Sequence, residues 1–316
     1  MTSVGAVALG AAAAPGSALA AGSVLNVVAT TGMIADTARV IGGDLVDVKA
    51  LMGPGVDPHA YRQTRTDILA MRRADLVLWN GLYLEAQMEE VLGELAAHVP
   101  VRAVGEAVTV DIRIAHDDYA DRFDPHVWMD PRLWRLVAMQ VRDALSEVAP
   151  EHAPDFAAGA EAYLTEIEAL ADYADSVLAS VPPEARVLVT AHDAFNYFGR
   201  AYGFEVIGIQ GISTESEAGL NRITELVDLL VERKIAAVFV ESSVSDRSIR
   251  ALVEGAAAKG HQVRIGGQLY SDAMGQPGSY EGTYLGMIDH NVSTIASALG
   301  GSAPERGMAG KLNAES

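Results

Sequence analysis

One long helical stretch between two series of short apolar segments constrains the fold most. From Pro154 to Val181 the sequence contains no helix breaker except Gly159, and apolar residues recur at the spacing of a helix face. A helix of that length spans roughly 40 Å. The sequence VPPEA at Val181–Ala185 ends it, because proline interrupts helical hydrogen bonding. The stretch predicts either a long surface helix of one domain or a rigid connector between two lobes.

Short apolar segments alternate with helical segments on both sides of this stretch. VLNVVAT, LVDVKAL, DLVLWN and VRAV come before it, and RVLVT, EVIGI, AAVFVE and QVRIGG come after it. Strands of continuous apolar character that alternate with helices indicate parallel β/α units. The predicted fold class is α/β, with two (β/α) lobes of parallel sheet joined by a long rigid backbone helix.

The first 22 residues differ in composition from the rest of the chain. They carry no charged residue, are rich in Ala and Gly, and include Ala18-Leu19-Ala20, a small-x-small pattern typical of signal cleavage. We predict a signal peptide over residues 1–20. The basic start of such a signal is missing, since the first Lys or Arg is Arg39. A disordered tail or a misassigned start codon is the alternative interpretation.

The same patterns give the predicted domain boundaries. An N-terminal α/β lobe is expected over residues 24–150, the connecting helix over 151–182 and a C-terminal α/β lobe over 183–300. Residues 301–316 are rich in small and polar residues, and we expect them to form a disordered tail.

Cysteine content and net charge narrow the range of functions. The chain has no cysteine, which excludes disulfides, thiolate metal sites and a lipid-modified N-terminal Cys. We therefore predict an exported, periplasmic protein without a lipid anchor. The net charge of −19 argues against nucleic acid as a partner and is compatible with cations. No phosphate-binding glycine loop and no nucleophile elbow occur in the sequence.

Four polar residues follow predicted strands, two in each lobe. His59 and His126 each end an Asp-Pro-His sequence, His192 follows RVLVT, and Asp272 follows QVRIGG by a few residues. Ligands of parallel α/β folds bind at the carboxyl ends of strands, so we expect the four to meet at the lobe interface. Three imidazoles and a carboxylate suit Zn²⁺, although a single loop histidine is more often merely hydrogen-bonded.

Neighbouring acids are candidates for supporting roles. Asp57, Asp124 and Asp193 lie beside the three histidines and either accept ring N–H bonds or cap turns. Glu241 ends a predicted strand and is a candidate supporting carboxylate, a fifth ligand or a structural acid. His116 lies in an acidic loop and is at most a transient metal contact.

Several longer motifs resemble one family. These are MGPGVDPHAYRQTRTDILAMRRADLVLWNGLYLE, DPHVWMDP, TAHDAFNYFGRAYG, GISTESEAGL, VFVESSVSDRSIRALV and LYSDAMG. Together they resemble the zinc/manganese-type solute-binding proteins of ABC transporters, over nearly the whole chain after the predicted signal. The resemblance implies two lobes joined by a long helix. It also implies that His59, His126, His192 and Asp272 are the metal ligands.

The resemblance leaves two candidate ions. His at position 192 looks zinc-like, whereas a Glu there would look manganese-like. The segment Asp111–Asp124, with only His116, lacks the long His-rich loop of many zinc-type members. Nitrogen-rich coordination favours Zn²⁺ over Mn²⁺, so we predict Zn²⁺ first and Mn²⁺ second.

The predicted function is non-catalytic capture of this ion in the periplasm. The expected partners are an ABC permease with its ATPase, a periplasmic metallochaperone is a further candidate, and the protein is expected to be a monomer. Two alternatives are a zinc hydrolase, which needs an open position for water at the metal, and a surface adhesin that retains the fold.

Overall fold

The computed structural model of the chain describes residues 24–116 and 121–313. The predicted signal peptide over residues 1–20 lies outside the described residues.

The N-terminal lobe is built on one parallel four-stranded sheet. Its strand order is β2-β1-β3-β4, and the strands are β1 (Leu25–Ala29), β2 (Val46–Ala50), β3 (Leu76–Trp79) and β4 (Val101–Ala103). Three helices connect or flank the strands: α1 (Gly32–Gly42), α2 (Arg65–Arg73) and α3 (Glu89–Leu95). The strand order places β1 at the centre, where its side chains are almost all buried, as its continuous apolar sequence predicts.

The C-terminal lobe also alternates strands with helices, and its strands form two parallel pairs. They are β5 (Val187–Thr190) with β6 (Glu205–Gly208), and β7 (Ala237–Glu241) with β8 (Arg264–Leu269). Its helices are α6 (Asn196–Tyr202), α7 (Leu220–Glu232), α8 (Arg247–Ala258) and α9 (Tyr284–Ala298). The predicted α/β class with parallel sheets in two lobes is confirmed.

Two long helices come between β4 and β5 in the chain. In α4 (Pro131–Val148), the carboxylate of Asp130 caps the helix by accepting a bond from the backbone N–H of Arg132, because the first amides of a helix lack internal partners. The next helix, α5, covers Ala153–Ala179 and packs against α1, α4 and α9. Gly159 permits this approach, since a Cβ there would lie 2.3 Å from the carbonyl oxygen of Ile41.

The exposed side of α5 is acidic, with Glu161, Glu166 and Glu168 among its exposed residues. Within residues 24–116 and 121–313, no helix has both the length and the apolar character needed to cross a membrane.

One residue of α9 joins the two lobes on the side of α5. Tyr284 is fully buried, and its ring stacks on that of Trp134 with 5.1 Å between the ring centroids. Its hydroxyl donates to the carbonyl of Trp128 at 2.9 Å, and its backbone N–H donates to Asp36 at 2.8 Å. The main hydrophobic core continues through this junction from Leu25 to Leu299, so the lobes share one core.

The prediction of a disordered tail is wrong for residues 301–313. The buried carboxylate of Asp289 accepts a bond from the backbone N–H of Met308 at 2.9 Å, and Glu281 accepts one from that of Asn313 at 3.1 Å. Leu312 is also buried. Partners far away in sequence anchor this segment, and its own composition gives no sign of them. Residues 314–316 lie outside the described residues.

Candidate metal centre

His59 reaches the site from the loop that follows β2. The Asp57 carboxylate accepts a bond from the His59 backbone N–H at 2.9 Å, which closes the turn around Pro58. Its other oxygen accepts a bond from the hydroxyl of Thr214 in the C-terminal lobe at 2.6 Å. Asp57 therefore holds the backbone of His59, while the Asp57 carboxylate is itself held across the lobe interface.

His126 uses the same turn with one addition. The Oδ1 atom of Asp124 accepts a bond from the His126 backbone N–H at 2.9 Å and also lies 2.7 Å from the ring Nδ1. A carboxylate at Nδ1 fixes the orientation and tautomer of a ligating imidazole, so Nε2 of His126 points into the site. The interpretation of Asp124 as a ring partner agrees with this geometry.

His192 follows β5 and is held by an acid at the end of β7. Glu241 accepts a bond from the His192 backbone N–H at 2.9 Å, and its second oxygen lies 2.5 Å from Nδ1 of the ring. Glu241 therefore contacts the ring nitrogen that faces away from the site. Of the three interpretations that the sequence left open for Glu241, these contacts agree with the supporting carboxylate, and Glu241 is not among the four converging residues.

Asp272 completes the group from the loop after β8. The hydroxyl of Ser243 donates to its Oδ2 at 3.1 Å, whereas Oδ1 is buried without a hydrogen-bond partner. A buried carboxylate oxygen without a partner is costly unless a ligand satisfies it, so Oδ1 is available to a cation.

The structure brings all four predicted residues together. Nε2 of His126 lies 3.2 Å from Nε2 of His59, 3.4 Å from Nε2 of His192 and 3.4 Å from Oδ1 of Asp272. The four donor atoms all lie within 4.8 Å of one another, and all four residues are buried. A tetrahedron with metal–ligand bonds of about 2.0–2.1 Å has edges of roughly 3.3 Å, so the three spacings measured from His126 match such an edge.

The protonation equilibria of the site follow from its burial and charges. Burial holds the pKa of His59 well below its usual value. For His126, burial acts downward, but the carboxylates of Asp124 and Asp272 outweigh it and raise the pKa to about 9. Burial also opposes the charge on His192, yet Glu241 and Asp272 raise its pKa well above the usual value. The neighbouring acids therefore favour the protonated form of each ring, and a cation must compete with that proton.

Residues other than the four converging ones cover the site or form hydrogen bonds across the lobe interface beside it. The ring of Trp128 lies 5.2 Å from that of His126, and its Nε1–H donates to the carbonyl of Ser271 at 2.8 Å across the lobe interface. His116 is buried but is not among the converging residues. Sequence reasoning missed Thr214, Ser243 and Ser271, because hydroxyl and carbonyl partners in loops carry no spacing signal.

Comparison with known proteins places this site in a family. The family model for the zinc-uptake complex component A, periplasmic, matches residues 27–298. The chain belongs to this family. The matched range includes both lobes, the long helix and all four converging residues.

Individual members of the zinc-uptake component A family carry the names of different ions. The manganese-binding lipoprotein MntA of Bacillus subtilis is 50% identical over 266 residues, covering 84% of this chain and 87% of MntA. The solved structure of the periplasmic zinc-binding protein TroA from Treponema pallidum matches with a TM-score of 0.86 and 45% identity, covering 88% of this chain and 99% of TroA. The comparisons therefore show metal binding and leave the ion open.

A third relative names the transport system. The metal ABC transporter substrate-binding lipoprotein ScbA of Streptococcus cristatus is 30% identical over 272 residues, covering 84% of this chain and 86% of ScbA. The chain is thus a metal-binding substrate-binding protein of the ABC-transporter type. The prediction that the protein has no lipid anchor is not supported, because MntA and ScbA are both named lipoproteins.

Proposed function

We propose that this protein captures one Zn²⁺ ion in the periplasm, with Mn²⁺ as the second candidate, and delivers it as a monomer to an ABC permease with its ATPase. His59, His126, His192 and Asp272 are the proposed ligands. The observation that carries the proposal is the convergence of three buried imidazoles and one buried carboxylate, with a donor atom of each of the other three residues 3.2–3.4 Å from Nε2 of His126.

The donor set supports Zn²⁺ over Mn²⁺. Three imidazole nitrogens and one carboxylate suit a borderline cation in tetrahedral geometry, and Zn²⁺ binds such sites more tightly than Mn²⁺ in the general affinity order. MntA and TroA, relatives of similar identity, are named for different ions. The local donor chemistry, with His rather than an acid at position 192, therefore decides our preference.

We expect metal-free protein to bind Zn²⁺ at a stoichiometry of about one and more tightly than Mn²⁺. The protein would be stripped with a chelator, dialysed and titrated with each ion in competition with a chromophoric chelator. Elemental analysis of protein purified without added metal would identify the ion acquired in the cell. An affinity for Mn²⁺ equal to or above that for Zn²⁺ would contradict the preference, and failure to bind either ion would contradict the function.

Zn²⁺ binding is expected to strengthen as pH rises from 6 to 8. The nearby carboxylates raise the pKa values of both His126 and His192 and so favour protonated rings, and the ion must displace such protons in order to bind. Calorimetry in buffers of different ionisation enthalpy should show net release of protons when Zn²⁺ binds near pH 7. Release of none would mean that the two rings are neutral before the ion binds.

The donor set does not favour a zinc hydrolase. Such an enzyme leaves one metal position open for water, whereas here Asp272 supplies a fourth protein donor, and its Oδ1 atom is buried. We therefore propose a non-catalytic role for the site.

A further inference from the structure

We propose that the hydroxyl of Thr214 positions His59 from the opposite lobe, through Asp57, and thereby sets the rate at which the bound ion leaves. This inference rests on the proposed function, because it concerns release of the ion that the four ligands hold. In this proposal Thr214 is a positioning residue, and His59 is the first ligand to dissociate from the ion.

The three histidines are not supported equally. His126 and His192 are each held at two points by one carboxylate, which contacts both the backbone N–H and the ring Nδ1. The carboxylate beside His59 contacts only its backbone N–H. The other oxygen of Asp57 is turned away and accepts the bond from Thr214. Within residues 24–116 and 121–313, no carboxylate holds the ring of His59 in the way that Asp124 and Glu241 hold the other two rings.

The loops that carry His126 and His59 also differ in the hydrogen bonds that join them to the opposite lobe. Around His126, the buried bonds from Trp128 to the Ser271 carbonyl and from Tyr197 to the Asp124 carbonyl join the lobes at 2.8 and 3.0 Å. The loop of His59 is joined through the half-buried bond between Asp57 and Thr214. A bond between partly exposed groups is opened more easily, since water replaces the lost partner.

The partner loop is suited to opening. Residues 213–219 lie between β6 and α7, outside any helix or strand, and most of their side chains are exposed or half-buried. Its second bond across the interface, from the Gln87 amide to the Glu215 carboxylate, is exposed. Thr214 thus lies where a small movement of one loop releases Asp57, and with it the turn that presents His59.

The test is the rate of Zn²⁺ release from loaded full-length protein mixed rapidly with excess chelator. Thr214→Val keeps the shape and removes the hydroxyl, and we expect release about tenfold faster, because loss of an outer partner of a ligand typically weakens binding 10- to 100-fold. Thr214→Ser keeps the hydroxyl and should restore the wild-type rate. The association rate and the melting temperature of the metal-free protein should stay unchanged, which separates positioning from a general structural effect.

Thr224→Val is the matched control. Thr224 lies on the exposed side of α7, and its hydroxyl bonds only to the Leu220 carbonyl of the same helix, so its loss should leave the release rate at the wild-type value. A Thr214→Val protein that releases Zn²⁺ at that same rate would overturn the inference and would favour exit on the Asp272 side of the site. Wild-type protein that binds no metal would instead contradict the proposed function.

Discussion

Replacing His126 with alanine is expected to lower the affinity for Zn²⁺ by more than about 100-fold. Loss of a residue that only hydrogen-bonds to a ligand typically lowers affinity by about 10- to 100-fold, and loss of a ligand itself should cost more. Its Nε2 atom lies 3.2–3.4 Å from a donor atom of each of the other three residues. The substitution also leaves Asp124 buried beside an empty space instead of a ring. Competitive titration of the stripped variant with a chromophoric chelator would measure the loss.

Two further variants make this result specific. His98→Ala removes an exposed histidine in the turn after α3 and should bind Zn²⁺ as the wild-type protein does. His59→Ala should also lose affinity by orders of magnitude, because it removes one of the four donors. If His126→Ala bound Zn²⁺ with unchanged affinity, His126 would have to be removed from the ligand set.

Replacing Tyr284 with alanine is expected to reduce the free energy of unfolding by about 3–5 kcal/mol, as for other large buried aromatic residues. The ring fills the junction between the lobes against Trp134, and the hydroxyl satisfies the carbonyl of Trp128. Urea denaturation of the metal-free protein would measure the change without a contribution from bound ion.

Tyr284→Phe provides the comparison for this variant. It keeps the ring and loses only one hydrogen bond, so its cost should be about 1 kcal/mol. A cost for Tyr284→Ala no larger than that for Tyr284→Phe would mean that the ring contributes little to the junction between the lobes.

The lobes and the four converging residues were predictable from sequence, because each depends on the pattern of neighbouring residues along the chain. Continuous apolar strands identified the parallel lobes, and the ends of those strands located His59, His126, His192 and Asp272, because ligands of such folds bind there. Asp124 was also within reach of sequence reasoning, since an acid two residues before a histidine can close the turn and contact the ring.

The supporting contacts could not be predicted in the same way. Glu241 and His192 are 49 residues apart, and Thr214 and Asp57 are 157 apart, so only the folded chain shows which acid or hydroxyl meets which ligand. Adjacency in sequence pointed to Asp193, and the end of a strand left three roles open for Glu241, of which the structure shows contact with the His192 ring. The packed segment over residues 301–313 was missed for the same reason, since Asp289 and Glu281 anchor it from outside.

The long helix α5 and the core shared by both lobes have a consequence for recognition by the permease. The 27 residues of α5 and the contacts of Tyr284 hold the two lobes together. Binding of the ion therefore cannot cause a large change in the overall shape of the molecule. Loaded and empty forms should give nearly the same small-angle scattering. A permease that accepts the loaded form and rejects the empty form must then distinguish them by contacts with a few loop residues beside the metal site.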